Sequence, residues 1–289
     1  MIYVVFNPVA GRGRGSKALP LARDLLLKAG FDHEVLVTQR PGHATCLVKS
    51  LPKDADVIVL GGDGTVHEAA SACFGTGRTL GVLPVGSGDD FAFALNVNRF
   101  DLSEAVNIIH RAQIRKIDVG LVNDVPFFNA VGVGFDADVA NRMRSAPRFL
   151  KGQVAYLYAA VTTLVAHQLV RVEIEVDGNL VYGGRSLLVS THNGPRVGGS
   201  FLFAPDASPD DGMLDVVAAG YFGRLGTLGI IPRTMRGKHL SHPEVFSFRG
   251  SKVLLSWETP RFAHVDGEMM EPCKEFRIEI LPKALRVYS

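Results

Sequence analysis

Over the first 120 or so residues, short β-branched runs alternate with amphipathic segments, and glycine or proline marks each switch. A chain with that rhythm satisfies its backbone and its apolar faces most simply as a parallel sheet covered by helices. Strands are expected over 2–6, 34–38, 57–60 and 80–83, with helices over 16–28, 44–51, 66–73 and 102–110 and another just after Asp90. In sheets of this kind, ligands sit at the carboxyl ends of the strands.

From about Gln113 the texture changes to closely spaced strand-like runs separated by turn residues, among them Asn123-Asp124 and Asp177-Gly178-Asn179. Strands are expected over 171–176, 186–191, 213–218, 244–248, 252–257 and 276–281, and helices over 154–168 and 223–235. The fold class that follows is an α/β N-terminal domain with a parallel sheet plus a mostly-β, sandwich-like C-terminal domain. A length of 289 residues suits two domains. The boundary is placed between residues 1–121 and 122–289.

Hydrophobic residues at 47% and charged residues at 21% are ordinary globular usage, against disorder or a disulfide-built scaffold. A net charge of +2 supplies no field for nucleic acid, so no nucleic-acid partner is expected. Cys46, Cys73 and Cys273 lie far apart with no C-x-x-C pair, which fits a reducing cytoplasm. Residues 1–6 read as a strand rather than a secretion signal. The apolar stretch 156–170 is broken by polar residues and falls short of the roughly 20 residues that span a bilayer. The nine histidines show no metal-ligand spacing, and Trp257 reads as a core aromatic.

The run 57–60 leads into Gly61-Gly62-Asp63-Gly64 and then an amphipathic segment: a strand, a glycine turn and a helix start. Glycine permits close backbone approach, and the unpaired amides of a helix N-terminus favour phosphate. A bare carboxylate there would repel phosphate unless it holds a divalent cation, so Asp63 implies magnesium. The alternative is local: a tight turn, with Thr65-x-x-Glu68 as a capping box. A second turn, Val85-Gly86-Ser87-Gly88-Asp89-Asp90, repeats the design, with Asp89 read as an N-cap before a ligand. Neither a P-loop nor a dinucleotide fingerprint is present.

These residues together make the chain similar to the diacylglycerol kinase catalytic family, which includes sphingosine and ceramide kinases and, more distantly, NAD kinases. The likeness is carried by Asn7-Pro8-x-Ala10-Gly11, by Thr38 followed by Gly42-His43-Ala44, by Gly61-Gly62-Asp63-Gly64-Thr65-x-x-Glu68, and by Pro84-x-Gly86-Ser87-x-Asp89-Asp90-Phe91-Ala92. It continues through Ile117-Asp118-Val119-Gly120, Gly134-Phe135-Asp136-Ala137, Ala204-Pro205-Asp206-Ala207, Asp211-Gly212-x-Leu214-Asp215 and Asp266-Gly267-Glu268.

The resemblance implies an ATP- and Mg2+-dependent kinase acting on a lipid hydroxyl, with a diacylglycerol-like acceptor. ATP would be bound by Asn7, Pro8, Gly11, Thr38, Gly62, Asp63, Gly64, Thr65, Glu68 and Ser87. Asp63, Asp90 and Asp118 would stand around the catalytic magnesium through water, and Ser208, Asp211 and Met213 would hold a structural one. Asp266 or Glu268 would take the proton of the acceptor, although Asp266-Gly267 by itself reads as a hairpin turn. Two departures stand out: Ser87 and Asp89 replace a threonine and a neutral asparagine common in the family, and Gly198-Gly199-Ser200 lacks a third glycine.

The expected partners are ATP and a lipid met at the membrane surface, in a cytoplasmic, peripherally associated protein; a homodimer is compatible with the sequence. Arg142, Arg144, Arg148 and Lys151, interleaved with Met143, Phe149 and Leu150, form either an interfacial segment drawn to anionic lipid or a solvated basic loop. Asp136 and Asp138 read equally as contacts to a polar lipid head or as turn residues. The competing functions are a soluble kinase related to NAD kinases and a nucleotide-binding regulator without catalysis.

Overall fold

The computed structural model describes residues 1–144, 158–159, 161–163 and 169–289. Four short strands, β1 (Ile2–Phe6), β2 (His33–Val37), β3 (Asp56–Gly61) and β4 (Thr79–Pro84), pair in parallel in the order β2-β1-β3-β4, with β2 at the partly exposed edge. The helices α1 (Ala10–Lys28), α2 (His43–Lys49), α3 (Asp63–Cys73), α4 (Asp90–Ala94) and α5 (Leu102–His110) accompany them. β3 and β4 are buried at nearly every position, which is why they read as continuous apolar runs rather than as alternation. α5 is the clearest local signal: Asp101 accepts from the amides of Ser103 and Glu104, and Ala105, Val106 and Ile109 face the core.

The second half is antiparallel. It comprises β5 (Ile114–Val122), β6 (Val125–Phe127), β7 (Ala130–Gly134), β8 (Val170–Val176), β9 (Asn179–Ser186), β10 (Leu188–His192), β11 (Leu214–Ala219), β12 (Val245–Gly250), β13 (Lys252–Val265) and β14 (Glu268–Tyr288). Helices α6 (Phe135–Arg144) and α7 (Gly223–Thr234) pack beside it. The chain is thus an α/β unit with a parallel sheet joined to a mostly-β, sandwich-like unit. The hairpin turns expected at Asn123-Asp124, Asp177-Gly178 and Asp266-Gly267 are all present, with left-handed backbone at Asn123, Asp124, Asp177 and Asp266.

One connection ties the two halves together. β14 begins as a partner of β13, bends at a register shift between Leu281 and Leu285, and ends parallel to β4. Its last residues, Leu285, Val287 and Tyr288, join the apolar core built by β1–β4 and their helices. A separate core, with Phe127, Ile174, Leu255, Trp257 and Phe276, fills the β unit.

The helix expected over 154–168 lies largely outside the described residues. In the basic segment, Arg142 is described and exposed. Arg148, Phe149, Leu150 and Lys151 lie outside the described residues, as do the side chains of Met143 and Arg144.

Candidate functional site

The loops that leave β1, β3 and β4 at their carboxyl ends converge. Asn7 Nδ2 donates to Thr65 Oγ1 at 2.8 Å, tying the loop after β1 to α3. Gly11 is left-handed (φ 56°), and a side chain there would strike the carbonyl oxygen of Val85 in the loop after β4. Gly62 and Gly86 touch backbone to backbone: a Cβ on Gly62 would lie 2.9 Å from Gly86 Cα. Two glycine turns distant in sequence therefore form one wall, because only hydrogen fits between them.

The capping expected within the glycine octet is built differently. The N-cap of α3 is Gly62, with no side chain on its amides. Glu68 instead caps α2, accepting from Gly42 N at 2.7 Å and Ala44 N at 3.0 Å. Asp89 occupies the N-cap position of α4 but does not cap it. That work falls to Asp63, which accepts from the amides of Asp89 and Asp90, both at 2.6 Å, and of Phe91 at 3.4 Å. A carboxylate at the start of one helix thus neutralises the start of the next.

Asp89 turns inward. It is 4% exposed, accepts from Gly86 N at 2.8 Å, and lies 3.9 Å from Arg99 Nε. Burial, then the charge of Asp63, pushes its carboxyl up to about 6 against the pull of Gly86, Arg99 and Arg14. Ser87, by contrast, is exposed on the rim of the turn, and Thr38 is buried at the end of β2.

Asp63 and Asp90 flank the space that a Gly88 side chain would fill: a Cβ there would be 2.7 Å from Asp63 Oδ2 and 3.2 Å from Asp90 Oδ2. Burial and the charge of Asp63 push Asp90 up to about 6, although Arg196 Nε donates to it at 2.8 Å and Gly199 N at 2.9 Å. Two facing carboxylates that repel one another suit a divalent cation. Among the described residues, no group of three or more His, Cys, Asp or Glu side chains is placed to hold a metal.

Asp118 is fully buried and engaged elsewhere. It accepts from Gly212 N and Lys283 N, each at 2.7 Å, while its own amide donates to Pro209 O. It braces the loop 208–213 against β14. That loop is closed by ion pairs, Asp210 with Arg115 at 2.7 Å and Asp211 with Arg249. Ser208 donates to Asp210 Oδ1, and Met213 N to Asp211. A metal bound through Ser208, Asp211 and Met213 would have to displace Arg249 from Asp211.

The β13–β14 hairpin brings the last two candidates to α3 from the other half of the chain. Asp266 accepts from the amides of Phe128, Asn129 and Ala130 at 2.9–3.0 Å and lies 2.9 Å from His67 Nδ1. Its carboxylate is saturated. Glu268 is exposed, and its Oε1 lies 3.9 Å from the position a Gly64 Cβ would take, beside the first turn of α3.

His67, Arg196, Arg14 and Arg99 went unnoticed as site residues in the sequence. Arg14 reaches the carbonyls of Gly11 and Gly86. Arg99 and Arg196 both donate to Gly88 O, and Arg196 also reaches Asp89 O and lies 4.0 Å over the ring of Phe93. The longest of these contacts, His67 to Asp266 and Arg196 to Gly88, Asp89 and Asp90, span more than a hundred residues, so no local pattern marks them.

Asp136 Oδ2 lies 3.4 Å from His264 Nε2, and Asp138 pairs with Arg261 at 3.1 Å, so both carboxylates face β13. Asp136 also lines a pocket walled by Phe135, Leu187, Phe203, Ile230 and Ile231.

Two family models account for nearly all of the chain. The diacylglycerol kinase catalytic domain matches residues 1–122, and the YegS C-terminal NAD kinase beta sandwich-like domain matches residues 129–289. A diacylglycerol kinase of Bacillus subtilis (strain 168) is 30% identical over 269 residues, covering 92% of this chain and 88% of the relative. A diacylglycerol kinase of Staphylococcus aureus (strain MRSA252) is 30% identical over 270 residues, covering 92% and 85%. A crystal structure of a diacylglycerol kinase from Bacillus anthracis str. Sterne shares the fold with a TM-score of 0.77 at 23% identity, covering 99% of this chain and 96% of that one. An NAD kinase from Archaeoglobus fulgidus, solved in complex with ATP, shares it more loosely, with a TM-score of 0.54 at 13% identity over 100% and 94% of the two chains. The chain belongs to the diacylglycerol kinase catalytic family.

Proposed function

We propose that this protein transfers the γ-phosphate of ATP, with Mg2+, to a hydroxyl of a diacylglycerol-like lipid. The observation that carries the reading is the meeting of Glu268 with the first turn of α3, which sets a carboxylate from one half of the chain beside the glycine turns of the other. Asn7, Pro8, Gly11, Thr38, Gly62, Gly64, Thr65, Glu68 and Ser87 line the nucleotide side. Asp63 and Asp90 would hold the magnesium, which would offset charge on the phosphates, while Asp118 on β5 braces the loop 208–213. Glu268 accepts the proton of the acceptor hydroxyl as its oxygen bonds to the γ-phosphorus and the bond from that phosphorus to ADP breaks. Asp266, with four hydrogen bonds already on its carboxylate, is the clamp that shapes the hairpin.

The cavity beneath α7 favours a lipid over a dinucleotide. Its walls are mostly aliphatic and aromatic, as acyl chains require. Its carboxylate among the described residues, Asp136, lies 3.4 Å from His264 Nε2 near the end of β13, two residues before Asp266 in the hairpin turn. The lipid would be met at a membrane surface. No helix among the described residues is long and apolar enough to cross a membrane. The inward turn of Asp89 leaves the rim at Ser87 without an added charge, which weighs against a regulator that has lost catalysis.

The test is a transfer assay with labelled ATP and Mg2+ over dioctanoylglycerol, sphingosine and NAD. Label should enter dioctanoylglycerol, and Glu268→Gln should lower the rate about 100- to 10,000-fold while ADP affinity by calorimetry stays within a few-fold. Label in NAD and in no lipid would select the NAD-kinase reading. Tight ADP binding without transfer to any lipid would select the regulator.

A further inference from the structure

His67 lies on α3 three residues after Gly64, so the two share the helix face turned to the β13–β14 hairpin. Its Nδ1 is 2.9 Å from Asp266 Oδ2, across 199 residues of sequence. The ring also meets Phe128 edge-on at 5.6 Å, and the side chain is 16% exposed. Phe128 is itself the first of the residues whose amides hold Asp266. Imidazole, aromatic ring and carboxylate therefore form one closed joint between the phosphate-binding helix and the hairpin.

The charged groups that act on the ring are Asp266 and Glu268 from the hairpin and Glu68 from α3. Burial alone would lower the pKa of His67; the hydrogen bond and charge of Asp266, with the charges of Glu268 and Glu68, outweigh it, so the imidazole titrates above 6.5. Protonation turns the contact into a charge-assisted hydrogen bond, roughly twice as strong as a neutral one.

We infer that His67 is a positioning residue for phosphate transfer: it fastens the Asp266 turn to α3 and so holds Glu268 beside Gly64. The inference rests on the reading of Glu268 as the base, and it makes a claim of its own. The hairpin is anchored to its own half by the amides of residues 128–130, but it is anchored to the nucleotide half through His67. A hairpin loosened by a fraction of an ångström at that joint would still bind nucleotide on α3 yet present its carboxylate poorly, a loss that appears in kcat rather than in the KM for ATP.

Two measurements on the full chain decide it. The first needs no turnover: the imidazole carbons of 13C-histidine-labelled protein are titrated by NMR, with His67 assigned by its absence from His67→Gln. Its midpoint should lie above 6.5 in the parent and fall in both Asp266→Asn and Glu268→Gln; a midpoint unmoved by either change overturns the joint. The second uses Mg-ATP and dioctanoylglycerol in mixed micelles. His67→Gln and His67→Asn, checked for folding by thermal melting, should lose about 10- to 100-fold in kcat with the KM for ATP changed less than about twofold. The parent rate should also step down about 3- to 10-fold as pH rises through the His67 midpoint found by NMR, and the step should vanish in both variants. A parent-like rate in both folded variants, or an equal loss in KM, overturns the positioning role. Undiminished turnover by Glu268→Gln would instead sink the base reading and leave the NMR result to judge the joint.

Discussion

Asp89 shows how a change of one atom in a side chain alters a turn. An asparagine there would still accept from Gly86 N through its amide oxygen, but it would bring no charge next to Asp63. Because burial and Asp63 raise the folded-state pKa of Asp89 from 3.8 to about 6, the folded chain binds that proton more tightly than the unfolded chain does. Its cost is therefore absent below pH 3.8, grows as pH rises toward 6, and is complete above that. Asp89→Asn should stabilise the protein by roughly 1–3 kcal/mol at pH 7.5 and by almost nothing near pH 4. Denaturant titrations at the two pH values check this, and an equal gain at both would point to packing rather than charge. His67 has the opposite sign of effect. Its folded pKa is raised, so the stability it contributes is fully present below 6.5 and is lost as pH rises through the folded value.

The ends of α2 and α3 depend on a side chain that belongs to neither. Arg78, 4% exposed just before β4, donates to Pro52 O, Ala72 O and Leu51 O at 2.6–3.0 Å and to Lys49 O at 3.5 Å. One guanidinium thus satisfies carbonyls at the ends of two helices and offsets their partial negative charge. Arg78→Met should destabilise by about 2–4 kcal/mol in urea titrations, and Arg78→Lys should recover little, because an ammonium cannot reproduce the planar fork. Elements with strong local signals were legible in the sequence: β1 and α5 lie where the apolar run 2–6 and the amphipathic run 102–110 place them. The lengths of β13 and β14 were not. Pro260 and Pro272 look like strand breakers, yet both strands run through them, bending at register shifts between Ser256 and Ala263 that absorb the missing amide donors.

Across the whole molecule, the carboxyl end of β14 makes the two halves interdependent. Leu285 is 1% exposed and Val287 0%, both inside the core of the parallel sheet, where Arg286 and Val287 pair with β4. Removing residues 284–289 should cost about 4–8 kcal/mol, since three large side chains leave that core at once. The loss should appear as a fall in the thermal midpoint and faster hydrogen exchange in β4 and α5. Unchanged protection there would show that the parallel sheet closes without its borrowed strand. Arg196 makes a second tie at this scale, linking the loop after β10 to Asp90 at the glycine turns.

By itself the sequence determined the alternation of strands and helices, the hairpin turns and the glycine octet with its carboxylate. These depend on residues within a few positions of one another, through backbone freedom, side-chain periodicity and helix-end chemistry. Tertiary structure alone decided that Glu68 caps α2, that Asp89 faces inward, that Asp118 braces a distant loop, and that Asp266 is a saturated clamp while Glu268 stands beside Gly64. Each of those outcomes is a choice of hydrogen-bond partner or charge neighbour across tens to hundreds of residues. A carboxylate's role is set by which donors reach it, and that follows only once the sheet and its long returning strand have closed.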